Sequence, residues 1–215
     1  MKSSTYSPRK QRLALQPGTA PAPDKSPLHT GPQQVRIIGG QWRRTPLPVT
    51  QRAGLRPTPA RLRETLFNWL GHDLSRWRCI DAFAGTGALG LEAASRGAAQ
   101  VTLVEQDAAQ VSQLRAVVQR LQAQDRVQVL RGDGVQVLSG WAARSVDLVL
   151  LDPPFTADLY APALAAAARA ITTTGWIYLE AAQPWVDAQV QPWGLRVYRY
   201  TQAGAVHAHL LRRTA

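Results

Sequence analysis

The sequence predicts an α/β protein built on a doubly wound, mostly parallel β-sheet. From residue 79 onward, short apolar runs alternate with segments of helical periodicity, which is typical of parallel sheets. Near the C-terminus, two strand-like runs are separated only by a short turn, which predicts an antiparallel hairpin at one end of the seven-stranded sheet. The predicted strands are Cys79–Phe83, Val101–Glu105, Val127–Leu130, Val146–Leu151, Trp176–Glu180, Leu195–Tyr200 and Ala205–Leu211, and the predicted helices are Ala88–Arg96, Asp107–Gln122, Val135–Ala142 and Leu159–Ile171.

A smaller pair of elements is predicted ahead of this sheet. Val35–Ile38 is β-branched and is followed by two glycines, so we expect a β-hairpin whose return strand lies in Gln41–Val49. The prolines within that return strand confine it to a sheet edge. A helix follows, with Thr58 predicted as its N-cap, Pro59 as its first residue and Gly71 as its end.

The charge of the chain is concentrated at its N-terminus. The protein has 215 residues and a formal net charge of +11, and residues 1–63 hold twelve basic side chains against one acid. In the rest of the chain, basic and acidic side chains are equal in number, so the protein has a neutral body and a basic N-terminal part. This pattern predicts a polyanionic partner, and favours nucleic acid over a membrane. We divide the chain into a disordered, basic, Pro-rich tail (1–33), a hairpin-and-helix extension (34–71) predicted to bind nucleic acid, and a main domain (72–215).

Composition also excludes several classes of protein. The single cysteine, Cys79, cannot form an internal disulfide, and the sequence has neither a membrane-length apolar run nor the apolar core of a signal peptide. Its four histidines and one cysteine show no metal-ligand spacing. We therefore expect a cytoplasmic monomer without a bound metal and without a membrane partner.

A glycine-rich loop follows the first strand of the main domain. Gly85, Gly87 and Gly90 form the pattern G-x-G-x-x-G at the start of a helix, and Glu105 ends the next strand about 20 residues later. Glycines allow a backbone to approach a nucleoside cofactor closely, and a carboxylate at a strand end can accept both ribose hydroxyl protons. NAD, FAD and S-adenosylmethionine all need this geometry. Asp81 disfavours a pyrophosphate beside it and favours a cationic ligand such as S-adenosylmethionine.

Asp133 is a further polar residue at a strand end. It lies between two glycines after the third strand of the main domain. It is placed to meet an adenine amino group, or to act as a turn or helix-cap residue, and the sequence leaves both open.

The tetrapeptide Asp152-Pro153-Pro154-Phe155 ends an apolar strand. The two prolines stop the strand and fix the backbone, so that the Asp152 carboxylate projects from the carboxyl edge of the sheet. Phe155 adds an aromatic face beside it. Hydrogen-bond acceptors next to a stacking surface are what methylation of an exocyclic amino group requires.

These features resemble the class I S-adenosylmethionine-dependent methyltransferases, whose amino-group members carry an Asn/Asp-Pro-Pro-aromatic motif. Segments 36–43, 54–58, 63–70 and 83–93 narrow the resemblance to the RsmD family, and the similarity extends from about residue 34 to the end of the chain. Members of that family methylate N2 of guanine-966 in bacterial 16S rRNA. The resemblance implies a Rossmann-like class I methyltransferase fold, S-adenosylmethionine as cofactor and 16S rRNA of the small ribosomal subunit as partner.

The same resemblance implies roles for individual residues. The cofactor would be held by Asp81, Phe83, Gly85, Thr86, Gly87, Glu105, Asp133 and Gly134. The guanine would be held by Asp152, Pro153, Pro154 and Phe155. The RNA would be contacted by Arg36, Trp42, Arg43, Arg44, Arg56, Thr58 and Arg61, although 56–58 would serve equally well to cover the cofactor.

Three other functions compete with an rRNA guanine-N2 methyltransferase. A DNA adenine-N6 methyltransferase would use the same chemistry on another polymer. A nicotinamide-dependent oxidoreductase would use the glycine loop but would leave Asp152–Phe155 unexplained. A catalytically silent RNA-binding module would be expected to have lost Asp152 or Glu105, and the sequence retains both.

Overall fold

The computed structural model describes residues 34–49, 58–155 and 158–214. The predicted tail, residues 1–33, and the predicted RNA contact Arg56 lie outside the described residues. Two sheets are present in the described part of the chain. The small one pairs β1 (Gln34–Arg36) with β2 (Pro46–Pro48) as an antiparallel hairpin.

The large sheet has seven strands in the described part of the chain, in the order β5-β4-β3-β6-β7-β9-β8. Neighbours from β5 to β7 run parallel, whereas β9 is antiparallel to both β7 and β8. The prediction of a mostly parallel sheet closed by an antiparallel hairpin is confirmed. The strands are β3 (Arg78–Asp81), β4 (Gln100–Glu105), β5 (Val127–Arg131), β6 (Val146–Leu151), β7 (Ile171–Ala181), β8 (Leu195–Ala203) and β9 (Val206–Arg213).

Helices cover both faces of this sheet, which confirms the doubly wound arrangement. The helices are α1 (Ala60–Leu70), α2 (Ala88–Ser95), α3 (Ala108–Arg120), α4 (Gly134–Ser139), α5 (Tyr160–Ala170) and the short α6 (Asp187–Val190). Apolar side chains of the small hairpin, α1, α2 and α3 form one core cluster, which includes Leu47, Leu66 and Leu91. A second cluster, which includes Leu138 and Leu164, packs α4 and α5 against the other face.

Several predicted boundaries differ from those in the structure, and two of the differences have a clear physical reason. The helix predicted to start with Thr58 as N-cap begins at Ala60, with Pro59 as its N-cap and no side-chain cap hydrogen bond, because the Thr58 hydroxyl bonds elsewhere. The helix predicted to reach Ile171 ends at Ala170. β7 starts at once with a β-branched stretch and is therefore longer than predicted.

A buried carboxylate helps to attach the small hairpin to the main domain. Glu92 of α2 accepts hydrogen bonds from the backbone N–H groups of Ile38 (2.7 Å) and Gly39 (2.8 Å). It also pairs with Arg96 at 2.9 Å and lies 3.7 Å from the buried Arg63 guanidinium of α1. The hairpin, α1 and α2 thus share one ion-pair network, which fixes the segment before the main domain.

Candidate active site

Acidic side chains gather at the carboxyl ends of neighbouring parallel strands. Asp81 ends β3 and Glu105 ends β4, while Asp152 directly follows β6 and Glu180 lies at the end of β7. The register brings them together, since Leu151 of β6 pairs with Leu179 of β7, one residue before Asp152 and Glu180. The carboxyl edge of an open α/β sheet is where ligands bind in such folds.

Asp81 is fully buried and only half satisfied. One carboxylate oxygen accepts the Gly90 N–H at 2.9 Å, whereas the other, Oδ1, has no hydrogen-bond partner. Burial, together with the nearby Asp152 and Glu105 charges, raises the pKa of Asp81 to about 7. An orphaned buried carboxylate oxygen is costly unless a donor or a cation meets it.

The glycine loop turns as its sequence predicts. Gly87, in the left-handed region with φ +77°, is the N-cap of α2. Gly85 also has positive φ (+50°), and a side chain added there would find no atom within 4 Å, so its backbone borders open space. The Gly85 N–H donates to Glu105 Oε2 at 3.0 Å and the Asp107 N–H donates to Oε1 at 2.8 Å, which together orient the carboxylate.

The third strand end carries a helix cap. Asp133 is the N-cap of α4 and its Oδ1 accepts the Gln136 N–H at 2.8 Å, so the capping function left open by the sequence is present. A Cβ on Gly134 would lie 2.0 Å from the Ala82 carbonyl oxygen. This close approach of α4 to the end of β3 accepts only glycine.

The residues at this edge fit S-adenosylmethionine. The orphaned Asp81 oxygen can meet a cationic group, the open Gly85 backbone leaves room for a ligand, and the oriented Glu105 carboxylate suits a ribose diol. Thr86, which is buried, and Phe83, which is half-buried, flank this space within the same turn.

The Asp152–Phe155 segment presents an acceptor and an aromatic ring. Asp152 is partly buried, and its Oδ2 accepts a hydrogen bond from the Thr58 hydroxyl at 3.3 Å. Burial raises the pKa of Asp152 to about 7, and the Thr58 hydrogen bond opposes that rise. Pro153 is buried, whereas Pro154 and Phe155 are exposed, with 40% of Phe155 accessible. The ring is therefore available for stacking.

The predicted RNA contacts separate into two groups. Arg36, Arg43, Arg44 and Arg61 are exposed, and the first three line a cavity of about 440 Å³ together with Thr58. Trp42, by contrast, is only 8% exposed and packs in the core under the Arg126 guanidinium.

Neither a metal centre nor a membrane span is found in the described residues. No group of three or more His, Cys, Asp or Glu side chains there could hold a metal ion. No helix in the described ranges is long and apolar enough to cross a membrane.

Known proteins resemble the chain over most of its length. The model of a family described as conserved hypothetical protein 95 matches residues 35–212. The chain belongs to this family, the RsmD family. Ribosomal RNA small subunit methyltransferase D of Escherichia coli K12 is 40% identical over 197 residues, which cover 89% of this chain and 96% of that protein.

Solved structures agree with the membership of this RsmD-family chain. A putative methyltransferase from Escherichia coli is 39% identical with a TM-score of 0.72, and a putative methylase from Haemophilus influenzae is 31% identical with a TM-score of 0.70. Each match covers 85% of this chain and 99% of the other. The chain therefore has the Rossmann-like class I fold of a methyltransferase family.

Two buried residues beside the RsmD-family motif were missed from the sequence. Glu180 is 2% exposed and its Oε1 accepts a hydrogen bond from the buried Tyr178 hydroxyl at 2.8 Å. The signal for Glu180 was available, because it is an acid at the end of an apolar strand, as are Glu105 and Asp81.

Proposed function

We propose that this protein transfers the methyl group of S-adenosylmethionine to the exocyclic N2 of one guanine, guanine-966, in 16S rRNA of the small ribosomal subunit. The observation that carries the proposal is the placement of Asp152 and Phe155 one strand away from the orphaned Asp81 carboxylate. Relatives that are named as small-subunit rRNA methyltransferases and match nearly the full chain support rRNA as the substrate.

The carboxyl edge would bind the cofactor through charge and shape. When bound, S-adenosylmethionine supplies an electrophilic methyl group on a positively charged sulfur. Asp81 would face the cationic methionine part, Glu105 the ribose and the Asp133–Gly134 turn the adenine. The cationic methionine part would stabilise the ionised form of the buried Asp81 carboxylate.

The Asp152–Phe155 motif would bind the guanine and accept a proton from it. Guanine presents N1–H and N2–H side by side, and the two oxygens of an ionised Asp152 can accept both. As the N2–methyl bond forms and the sulfur–methyl bond breaks, N2 loses one proton, which Asp152 is placed to accept. Holding the reactants in this geometry can contribute roughly 7–11 kcal/mol to lowering the barrier.

The target base must leave its stack before it reaches this edge. Extrusion costs a few kcal/mol, and stacking on the exposed Phe155 ring recovers about 1–3 kcal/mol of it. The exposed arginines of the hairpin would hold phosphates of the surrounding RNA. Three of them line a cavity together with Thr58, whose hydroxyl bonds Asp152 of the motif.

The test is a methyl-transfer assay with mapping of the product. Labelled S-adenosylmethionine is offered with small subunits that lack the modification, with naked 16S rRNA and with DNA. We expect label on one guanine of 16S rRNA. Label on adenine, or only on DNA, would replace the proposal with an adenine-N6 methyltransferase.

A substitution in the motif separates binding from chemistry. Asp152→Ala should bind S-adenosylmethionine in calorimetry and transfer no methyl group, because the acceptor for the guanine protons is gone. The exposed Asp125→Ala on the turn before β5 is the matched control and should keep full turnover. Normal turnover of Asp152→Ala would refute the mechanism.

A further inference from the structure

Beside the motif, four polar side chains form two hydrogen-bonded pairs that the sequence did not reveal. The Tyr178 hydroxyl donates to Glu180 Oε1 at 2.8 Å, and the Thr58 hydroxyl donates to Asp152 Oδ2 at 3.3 Å. Leu151 and Leu179, the residues before Asp152 and Glu180, are paired in the sheet. Thr58 therefore bonds a carboxylate that has a second carboxyl group on the neighbouring strand.

We propose that Thr58 is a positioning residue for Asp152: the Thr58 hydroxyl, which donates to Oδ2, orients the Asp152 carboxylate and favours its ionised form for the target amino group, beside a Glu180 that stays protonated. This inference rests on the proposed methyl transfer. It deepens that function by assigning a residue that acts through Asp152 and need not touch the substrate.

Burial supports a proton on Glu180. Its side chain is 2% exposed, and burial, followed by the charge of Asp152, raises its pKa well above the ordinary value. Arg63 is the cation that faces Glu180 and Tyr178, but its guanidinium is committed to Glu92 and to the Arg36 and Thr58 carbonyls. A protonated Glu180 spares the site an additional buried negative charge.

The groups that face Asp152 come from every element packed around it. Asp81 ends β3, Glu180 and Tyr178 lie on β7, and Tyr160 begins α5. None of these four donates a hydrogen bond to Asp152 in the described part of the chain: Asp81 and Glu180 are acids, and the Tyr178 hydroxyl donates to Glu180. The Thr58 hydroxyl is therefore the donor that favours the carboxylate, and it lowers the pKa of Asp152 against the effect of burial.

The experiment is the pH profile of kcat for Thr58→Val, which keeps the shape of the side chain and removes its hydroxyl. We expect the acidic limb to move upward by about half to one pH unit, the equivalent of one hydrogen bond. Turnover should therefore fall three- to tenfold on that limb and approach the wild-type rate at high pH, with unchanged affinity for S-adenosylmethionine. Thr58→Ser should restore the wild-type profile.

Controls make the result specific. Thr65→Val removes a hydroxyl that bonds only within α1, to the Arg61 carbonyl, and should leave the profile unchanged. If Thr58→Val fails to fold, Thr58→Ala gives the same readout. A profile whose acidic limb stays in place, at full or uniformly reduced activity, overturns the inference. Absence of methyl transfer by the wild-type protein refutes the proposed function instead.

Glu180→Gln tests where the proton lies. The substitution replaces a neutral acid by a neutral amide if Glu180 is protonated, so the acidic limb should not move to lower pH. If Glu180 were ionised, removing its charge would ease the ionisation of Asp152 and shift the limb downward. A downward shift overturns the assignment of the proton to Glu180.

Discussion

The attachment of the hairpin through Glu92 is directly testable by Glu92→Gln. The native carboxylate has no solvent exposure and serves two backbone N–H groups, at 2.7 and 2.8 Å, as well as the Arg96 guanidinium. The amide keeps the shape, but its NH2 group faces at least one of these donors. It also removes the negative charge that compensates the buried Arg63.

The expected loss of stability is large because the substitution breaks a buried network from one side. Removing one partner of a buried ion pair costs about 3–5 kcal/mol, most of it from the charge left uncompensated. A domain of this kind is stable by about 5–15 kcal/mol, so the variant should fold but unfold at a much lower urea concentration. The exposed Glu64→Gln on α1 is the matched control and should change stability by less than about 0.5 kcal/mol.

Urea unfolding followed by tryptophan fluorescence measures the free energy, and amide hydrogen exchange locates the change. The Ile38 and Gly39 N–H groups should exchange faster in Glu92→Gln because their acceptor is weakened. A loss below about 1 kcal/mol, or unchanged exchange at both amides, would refute the view that this carboxylate holds the hairpin.

Two further predictions concern charge. Without cofactor, the free energy of unfolding should fall as the pH rises from about 4 to 7, because native Asp81, with a pKa of about 7, still binds a proton that the unfolded chain has released. Asp81→Asn should reduce that slope by up to about 1.4 kcal/mol per pH unit, and an unaltered slope would contradict the assignment. For RNA, Arg43→Gln/Arg44→Asn should weaken binding and lower the slope of log K against log salt by about one to two, because two phosphate contacts are lost. Matched substitutions of Arg76 and Arg78, at the amino end of β3, should leave the salt slope unchanged. An equal effect of both pairs would argue against the hairpin as the RNA contact.

The sheet and its acidic edge were predictable because their rules are local. Apolar runs alternating with helical segments predict parallel strands, and parallel strands bring their carboxyl ends to one edge. Asp81, Glu105 and Asp152 could therefore be assigned to that edge from sequence alone. Glu180 follows the same rule and could have been included.

Contacts between distant segments were not predictable, because no local pattern encodes them. The Thr58 hydroxyl reaches Asp152 across 94 positions, so the sequence indicated a helix cap where the structure has a hydrogen bond at the motif. Trp42 was expected to contact RNA because it lies among arginines, but its ring fills the core while neighbouring arginines stay exposed. Which side of a short, irregular hairpin is buried depends on the domain against which it packs.

Under the proposed function, the acidic edge would make a glycine loop that is common to several cofactor classes selective. Asp81, Asp152 and Glu180 approach one another in a buried region, where like charges repel strongly and protons are retained. A pyrophosphate placed there would add negative charge to a site whose carboxyl groups already cannot all ionise. A cationic ligand does the opposite, since it replaces the retained proton at Asp81 as the compensating charge. The same carboxyl groups that destabilise the protein without ligand would therefore favour a sulfonium over a dinucleotide.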